Sequence, residues 1–139
     1  MFKLLSLKID QIYSLIFSRI ENLPYILNIS IIESCNARCV MCDIWKSNDG
    51  TNISSSDLKY LANNQYKYVR HIGLSGGEPF LRKDLIEYVT NVLTFSPKLK
   101  SLSITSHAFQ TARLKKYLPE IKKTCDAFDV NFSMNFSLD

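Results

Sequence analysis

The chain has 139 residues, 46% hydrophobic and 12% aromatic, with 17 basic and 13 acidic side chains and a net charge of +4. That is one domain's worth of sequence with enough apolar side chains for a packed core, which excludes a disordered tail. The basic excess is spread along the chain with no run of five like charges, which argues against a nucleic-acid partner. Three of the four cysteines crowd into residues 35–42, so a disulfide scaffold is excluded and a reducing, cytoplasmic setting is expected.

The first element, residues 1–22, reads as an amphipathic helix. Leu5, Ile9, Ile12, Ile16 and Ile20 recur at helical spacing. Lys3, Lys8, Asp10 and Arg19 interrupt the segment, so it lacks the roughly 18 uncharged residues of a spanning helix. It also lacks the small-residue cleavage site of a secretory signal. A helix packed on the domain is the first reading; peripheral membrane contact or partner docking is the second.

Residues 23–139 read as a single α/β unit. "LPYILNISII", residues 23–32, is expected to be a buried strand, and the cysteines follow it in a loop. Residues 46–57 are rich in turn formers, and Ser56 or Asp57 is the expected cap of a helix over 57–66. "VRHIGLSGGEP", residues 69–79, predicts a second strand ending in a glycine turn. A helix over 84–94 turns Leu85, Ile86, Val89, Val92 and Leu93 inward. Residues 99–106 form a third strand, residues 111–128 a helix bent or broken at Pro119, and residues 130–139 a fourth strand. Such βα alternation with short connections predicts parallel strands with helical crossovers. Four strands do not close a barrel, and Asp139 falls at the tip of a central strand. The expectation is the N-terminal part of a longer fold, or a chain that borrows the rest from a partner.

Cys35, Cys39 and Cys42 form a CxxxCxxC set with no fourth cysteine nearby. Thiolates suit zinc, copper(I) or iron–sulfur clusters. A structural zinc site closes at four ligands, so His71 or His107 would have to complete one, giving a zinc-stabilised binding module without catalysis. Electron-transfer clusters use four cysteines, typically at tighter spacing. Three thiols buried merely as packing is the blandest alternative. Ligand counting leaves one more: a four-iron cluster on three thiolates, with one iron open to a substrate or cofactor.

CxxxCxxC after a first strand and "GGEP" after a second together resemble the radical S-adenosylmethionine (radical SAM) superfamily, from about Leu27 to Asp139. The resemblance implies a partial parallel (βα) barrel of the TIM-like type, an enzyme, and two cofactors: a [4Fe-4S] cluster on Cys35, Cys39 and Cys42, and S-adenosylmethionine. It implies reductive cleavage of the latter to a 5′-deoxyadenosyl radical that abstracts hydrogen, in peptide modification or cofactor biosynthesis. It also implies a peptide or small-molecule substrate and an external electron donor such as flavodoxin or ferredoxin. A fragment of the family that folds without turning over is the remaining alternative.

Some further roles have their own physical basis. Gly76 and Gly77 allow the backbone to approach a ligand, and Glu78 is an acceptor suited to an ammonium group. By resemblance all three bind the amino group of the cofactor. Thr105 and Ser106 are hydroxyl donors at a strand end, and the resemblance puts Thr105 in cofactor contact. This chain has Ser106 and His107 where the family has Asn-Gly. The resemblance directs Ser137 and Asp139 to the ribose or carboxylate, and Met41 to the adenine. Ile44 and Trp45 are expected to shield the cluster, with a core or partner-facing role as the equal alternative for Trp45, and Asn36 and Arg38 to shape its loop. Cys125 reads as a buried small residue rather than a ligand of an auxiliary cluster.

Overall fold

The computed structural model describes residues 12, 24–46, 52–64 and 68–137. The expected N-terminal helix, apart from Ile12, and Asp139 lie outside these residues.

Four strands, β1 (Ile26–Ile32), β2 (His71–Gly76), β3 (Ser101–Ser106) and β4 (Asn131–Phe136), alternate with helices α1 (Ser55–Asn64), α2 (Leu85–Phe95) and α3 (Thr111–Ala127). Neighbouring strands pair parallel, and their order in the sheet follows their order in the chain. A doubly wound sheet reverses that order at a switch point; steady one-step advance is the order of a barrel wall. The expected partial barrel is therefore present as an open four-stranded sheet.

The period-2 alternation of the strands sorts the sheet's two faces. Ile29, Ile31, Ile72, Leu74, Leu102 and Ile104 are buried with Leu58 of α1, Leu85, Val89 and Val92 of α2, and Leu114 and Ile121 of α3. The other face carries Asn28, Gly73, Ser103 and Ser133 in one register-aligned row, with Ser30 beside Ser75 and Thr105 beside Asn135 in the next. A Cβ on Gly73 would stand 2.3 Å from Asn28 Oδ1, so the missing side chain makes room for that amide. The first strand is thus buried on one face only, unlike the expected strand, because Asn28 and Ser30 alternate with its isoleucines. A barrel interior is commonly filled by bulky branched residues; here the corresponding face is small and polar.

Pairing of β1 with β2 shifts between Ser30 and Ile32, and this bulge places Ile31 and Ile32 both in buried positions. The Ile31 carbonyl accepts a hydrogen bond from Arg82 Nη1. The same guanidinium is buried, holds both oxygens of Asp84 at 2.8 and 3.0 Å, and lies 4.1 Å from the Tyr88 ring centroid. Arg82 thus fastens the bulge, from which the chain leaves the sheet, to the start of α2.

Two local expectations are corrected. The cap of α1 is Ser54, not Ser56 or Asp57: the Asp57 N–H donates to Ser54 Oγ at 3.2 Å and the Ser54 N–H to Asp57 Oδ2 at 2.8 Å. This reciprocal pair starts the helix two residues before the expected position. The helix α3 also runs unbroken through Pro119. Proline removes its bond to the Lys115 carbonyl, but both residues are exposed, so water can take that carbonyl.

Arg82→Met should destabilise the chain by about 2–4 kcal/mol in urea unfolding, because it strips a buried carbonyl of its donor. A loss within about 0.5 kcal/mol, the level of an ordinary surface change, would contradict the clamp.

Candidate functional site

Parallel strands deliver their carboxyl ends to one edge of the sheet, where α/β folds build their sites. Three exits meet there: the cysteine loop after β1, the glycine turn after β2, and residues 107–110 after β3.

The glycine turn is pressed against the root of the cysteine loop. Gly76 has a φ of +119°, and a Cβ there would stand 2.3 Å from the Ile32 carbonyl oxygen. At Gly77 a Cβ would stand 2.1 Å from the Ser34 carbonyl oxygen. The Gly77 N–H donates to the Ile32 carbonyl at 2.6 Å, and the Glu78 N–H to the Ser34 carbonyl at 2.9 Å. The close approach these glycines permit is therefore made to the backbone of Ile32 and of Ser34, the residue just before Cys35.

Glu78 is fully buried, and donors surround its carboxylate. The Phe80 N–H reaches Oε1 at 3.0 Å, capping the single 3₁₀ turn Pro79–Leu81. The Ser106 hydroxyl lies 2.9 Å from both oxygens. The His107 N–H reaches Oε2 at 3.1 Å, and His107 Nε2 is 3.1 Å from the same oxygen. Ser106 Oγ accepts the Ala108 N–H at 2.9 Å, which orients its hydroxyl hydrogen toward the carboxylate. Arg113 Nη1 adds support from α3, donating to the Phe80 and Leu81 carbonyls at 2.9 Å each.

In the loop itself, Cys35 and Cys39 are half-buried and Cys42 is exposed; all three are free. The Cys42 N–H donates to the Cys39 carbonyl at 3.2 Å, closing a turn whose tip carries Val40 and Met41 into solvent. Met41 is 83% exposed. Ala37 is buried and anchors the middle of the loop. The charged groups of Arg38 and Lys46 lie 5.6 and 5.4 Å from the Trp45 ring centroid. Ile44 and Trp45 are both half-buried.

Thr105 faces the polar side of the sheet, opposite Ser106. The Ser137 N–H donates to the Ser106 carbonyl at 3.1 Å, so the end of β4 also reaches this edge. Fully buried in α3, Cys125 has its thiol pushed up to about 11, chiefly by burial.

Among the described residues, no group of three or more His, Cys, Asp or Glu side chains is gathered as a single metal ion requires. Neither candidate fourth zinc ligand is placed for that role. His71 begins β2, about 17 Å from the glycine turn at roughly 3.3 Å per residue. His107 is engaged by Asn36, Glu78 and the Phe109 N–H. A multi-iron cluster makes a different demand, because each thiolate holds a different iron and the sulfurs stand further apart. Three free thiols within eight residues, on a loop rooted on the glycine turn, are the kind of donor set such a cluster would take.

The pairing of Asn36 with His107, and of Ser106 with Glu78, escapes sequence reasoning. The partners are 71 and 28 residues apart, and nothing in their spacing links them.

A family model described as the radical SAM superfamily matches residues 29–134. The chain is 32% identical over 111 residues to a probable GTP 3′,8-cyclase of Archaeoglobus fulgidus, covering 78% of this chain and 35% of the relative. It is 31% identical over 97 residues to a probable GTP 3′,8-cyclase of Methanocaldococcus jannaschii, covering 68% and 32%. With the GTP 3′,8-cyclase of Pectobacterium atrosepticum it shares 29% identity over 96 residues, covering 64% and 29%. The chain spans about a third of the length of these curated relatives.

Iodoacetamide treatment of the folded, metal-free chain should modify Cys42 fastest and leave Cys125 unmodified, as read by peptide mass spectrometry. Modification of Cys125 at a rate near that of Cys42 would contradict the burial described here.

Proposed function

The chain belongs to the radical SAM superfamily, and from that premise we propose that Cys35, Cys39 and Cys42 hold a [4Fe-4S] cluster beside which S-adenosylmethionine binds. The observation that carries this reading is the cysteine loop itself: three free thiols, no fourth cysteine in the loop, and a root hydrogen-bonded to the glycine turn. When bound, the cluster and cofactor supply a 5′-deoxyadenosyl radical for hydrogen abstraction from a substrate.

The chain's own residues do the positioning. Gly76 and Gly77 bring a polar backbone edge next to the open side of the cluster loop. Glu78 keeps that edge rigid through its internal hydrogen bonds. Met41 offers a soft apolar surface to the adenine, and its exposure leaves it free to be covered. Thr105, Ser137 and Asp139 supply polar groups toward the ribose and carboxylate.

The relatives make GTP the first substrate to try. The polar face of the sheet presents hydroxyls and amides at the registered positions 28, 30, 75, 103, 105, 133 and 135, and no lysine or arginine. A triphosphate would need its cations from elsewhere in the protein. The electron donor is a low-potential protein such as flavodoxin or ferredoxin. No helix among the described residues is long and apolar enough to cross a membrane, and an oxygen-sensitive cluster suits the reducing cytoplasm.

Anaerobic reconstitution should load about four irons and four sulfides per chain, and Cys39→Ala should lose most of that load. With dithionite and S-adenosylmethionine, the loaded chain should release 5′-deoxyadenosine, with GTP added in a parallel sample. Equal iron and sulfide in Cys39→Ala and the parent would refute the ligand assignment. Full loading without 5′-deoxyadenosine would favour the reading of a cluster-binding fragment that does not turn over.

A further inference from the structure

His107 stands where the resemblance leads one to expect a different residue, and its contacts join two parts of the site. The Phe109 N–H donates to His107 Nδ1 at 3.1 Å, a return made possible by the left-handed turn at Ala108, with φ 64°. A neutral ring that accepts at Nδ1 carries its hydrogen on Nε2. That nitrogen is 3.0 Å from Asn36 Oδ1 and 3.1 Å from Glu78 Oε2. The Phe109 ring backs the imidazole, with centroids 4.4 Å apart, and limits its rotation. One ring N–H therefore faces both a buried acceptor of the glycine turn and the side chain next to Cys35.

We infer that His107 is a positioning residue: through Asn36 it fixes the first cysteine of the loop relative to the glycine turn. The inference rests on the cluster-binding reading above and adds to it. The backbone bonds from Gly77 and Glu78 hold the loop only up to Ser34. Beyond that point, Asn36 gives the chain its side-chain tether to the end of β3. With the tether in place, Cys35 Sγ is restricted before any cluster forms, so less order has to be imposed when the cluster is loaded. Without it, the stretch that carries Cys35 is held only at its two ends, by the Ser34 carbonyl and the buried Ala37, and the position of the first thiol against the glycine turn spreads.

The test uses Asn36→Ala and His107→Ala, with His107→Gln as the conservative variant that keeps a donor near the Nε2 position. Asn36→Ala leaves Glu78 and its donors in place, so it remains informative if His107→Ala fails to fold. In the metal-free chain, the iodoacetamide rate of Cys35 relative to Cys42 should rise roughly fivefold to tenfold in Asn36→Ala, the effect of one lost hydrogen bond. His107→Ala should match it, the double variant should add little, and His107→Gln should recover most of the parent ratio. In reconstituted protein, the change that S-adenosylmethionine induces in the electron paramagnetic resonance spectrum of the reduced cluster should broaden or weaken in Asn36→Ala at unchanged iron content.

An unchanged Cys35 ratio in Asn36→Ala would overturn the inference, as would additive effects in the double variant. The thiol measurement needs no cluster. If the ratio rises as expected while the parent chain takes up no iron, the positioning role stands and the functional reading fails.

Discussion

A buried carboxylate needs donors, and Glu78 obtains its donors from the exits of two different strands. A polar group taken out of water must be hydrogen-bonded or it costs free energy of order 1–3 kcal/mol. Phe80 N–H, Ser106 hydroxyl, His107 N–H and the His107 ring meet that requirement around one side chain. The turn after β3 therefore bends back, with Ala108 left-handed, and the turn after β2 tightens into a 3₁₀ turn held from behind by Arg113. The backbone of this same knot bonds the root of the cysteine loop. The cysteines thus depart from a point that a fully buried acid keeps still.

The two faces of the sheet divide the work. Isoleucine and leucine on one face pack with three helices and hold the fold together, with Arg82 fixing the bulge where β1 gives way to the loop. Serine, asparagine, threonine and glycine on the other face leave it small and polar. Folding free energy and site chemistry are therefore carried by different residues of the same strands. The hydroxyls on the polar face are free to serve a ligand without loosening the core.

Much of this is legible in the residues. The βα alternation leads to the parallel strands found, and the spacing of Cys35, Cys39 and Cys42 leads to the cluster proposed above. The β1 segment misleads because its isoleucines dominate, while Asn28 and Ser30 already mark a face that is not packed. Pro119 misleads because its cost depends on whether the freed carbonyl meets water, and position alone does not decide that. The glycines are legible as a close approach, but not as one made to Ser34. The tie from Asn36 to His107 joins residues 71 apart, so it exists only once the strands are side by side. Spacing rules see one element at a time, and contacts made by the register of separate elements lie beyond them.

Glu78→Gln tests most directly whether Glu78 organises the site by its internal hydrogen bonds. Both oxygens of the carboxylate face N–H donors, so an amide nitrogen in either position meets a donor instead of an acceptor. The metal-free variant should lose about 1–3 kcal/mol of stability in urea unfolding, with faster modification of Cys35 than in the parent. Unchanged stability and unchanged thiol reactivity in the metal-free chain, with loss confined to S-adenosylmethionine binding after reconstitution, would contradict it and make Glu78 a direct cofactor ligand instead.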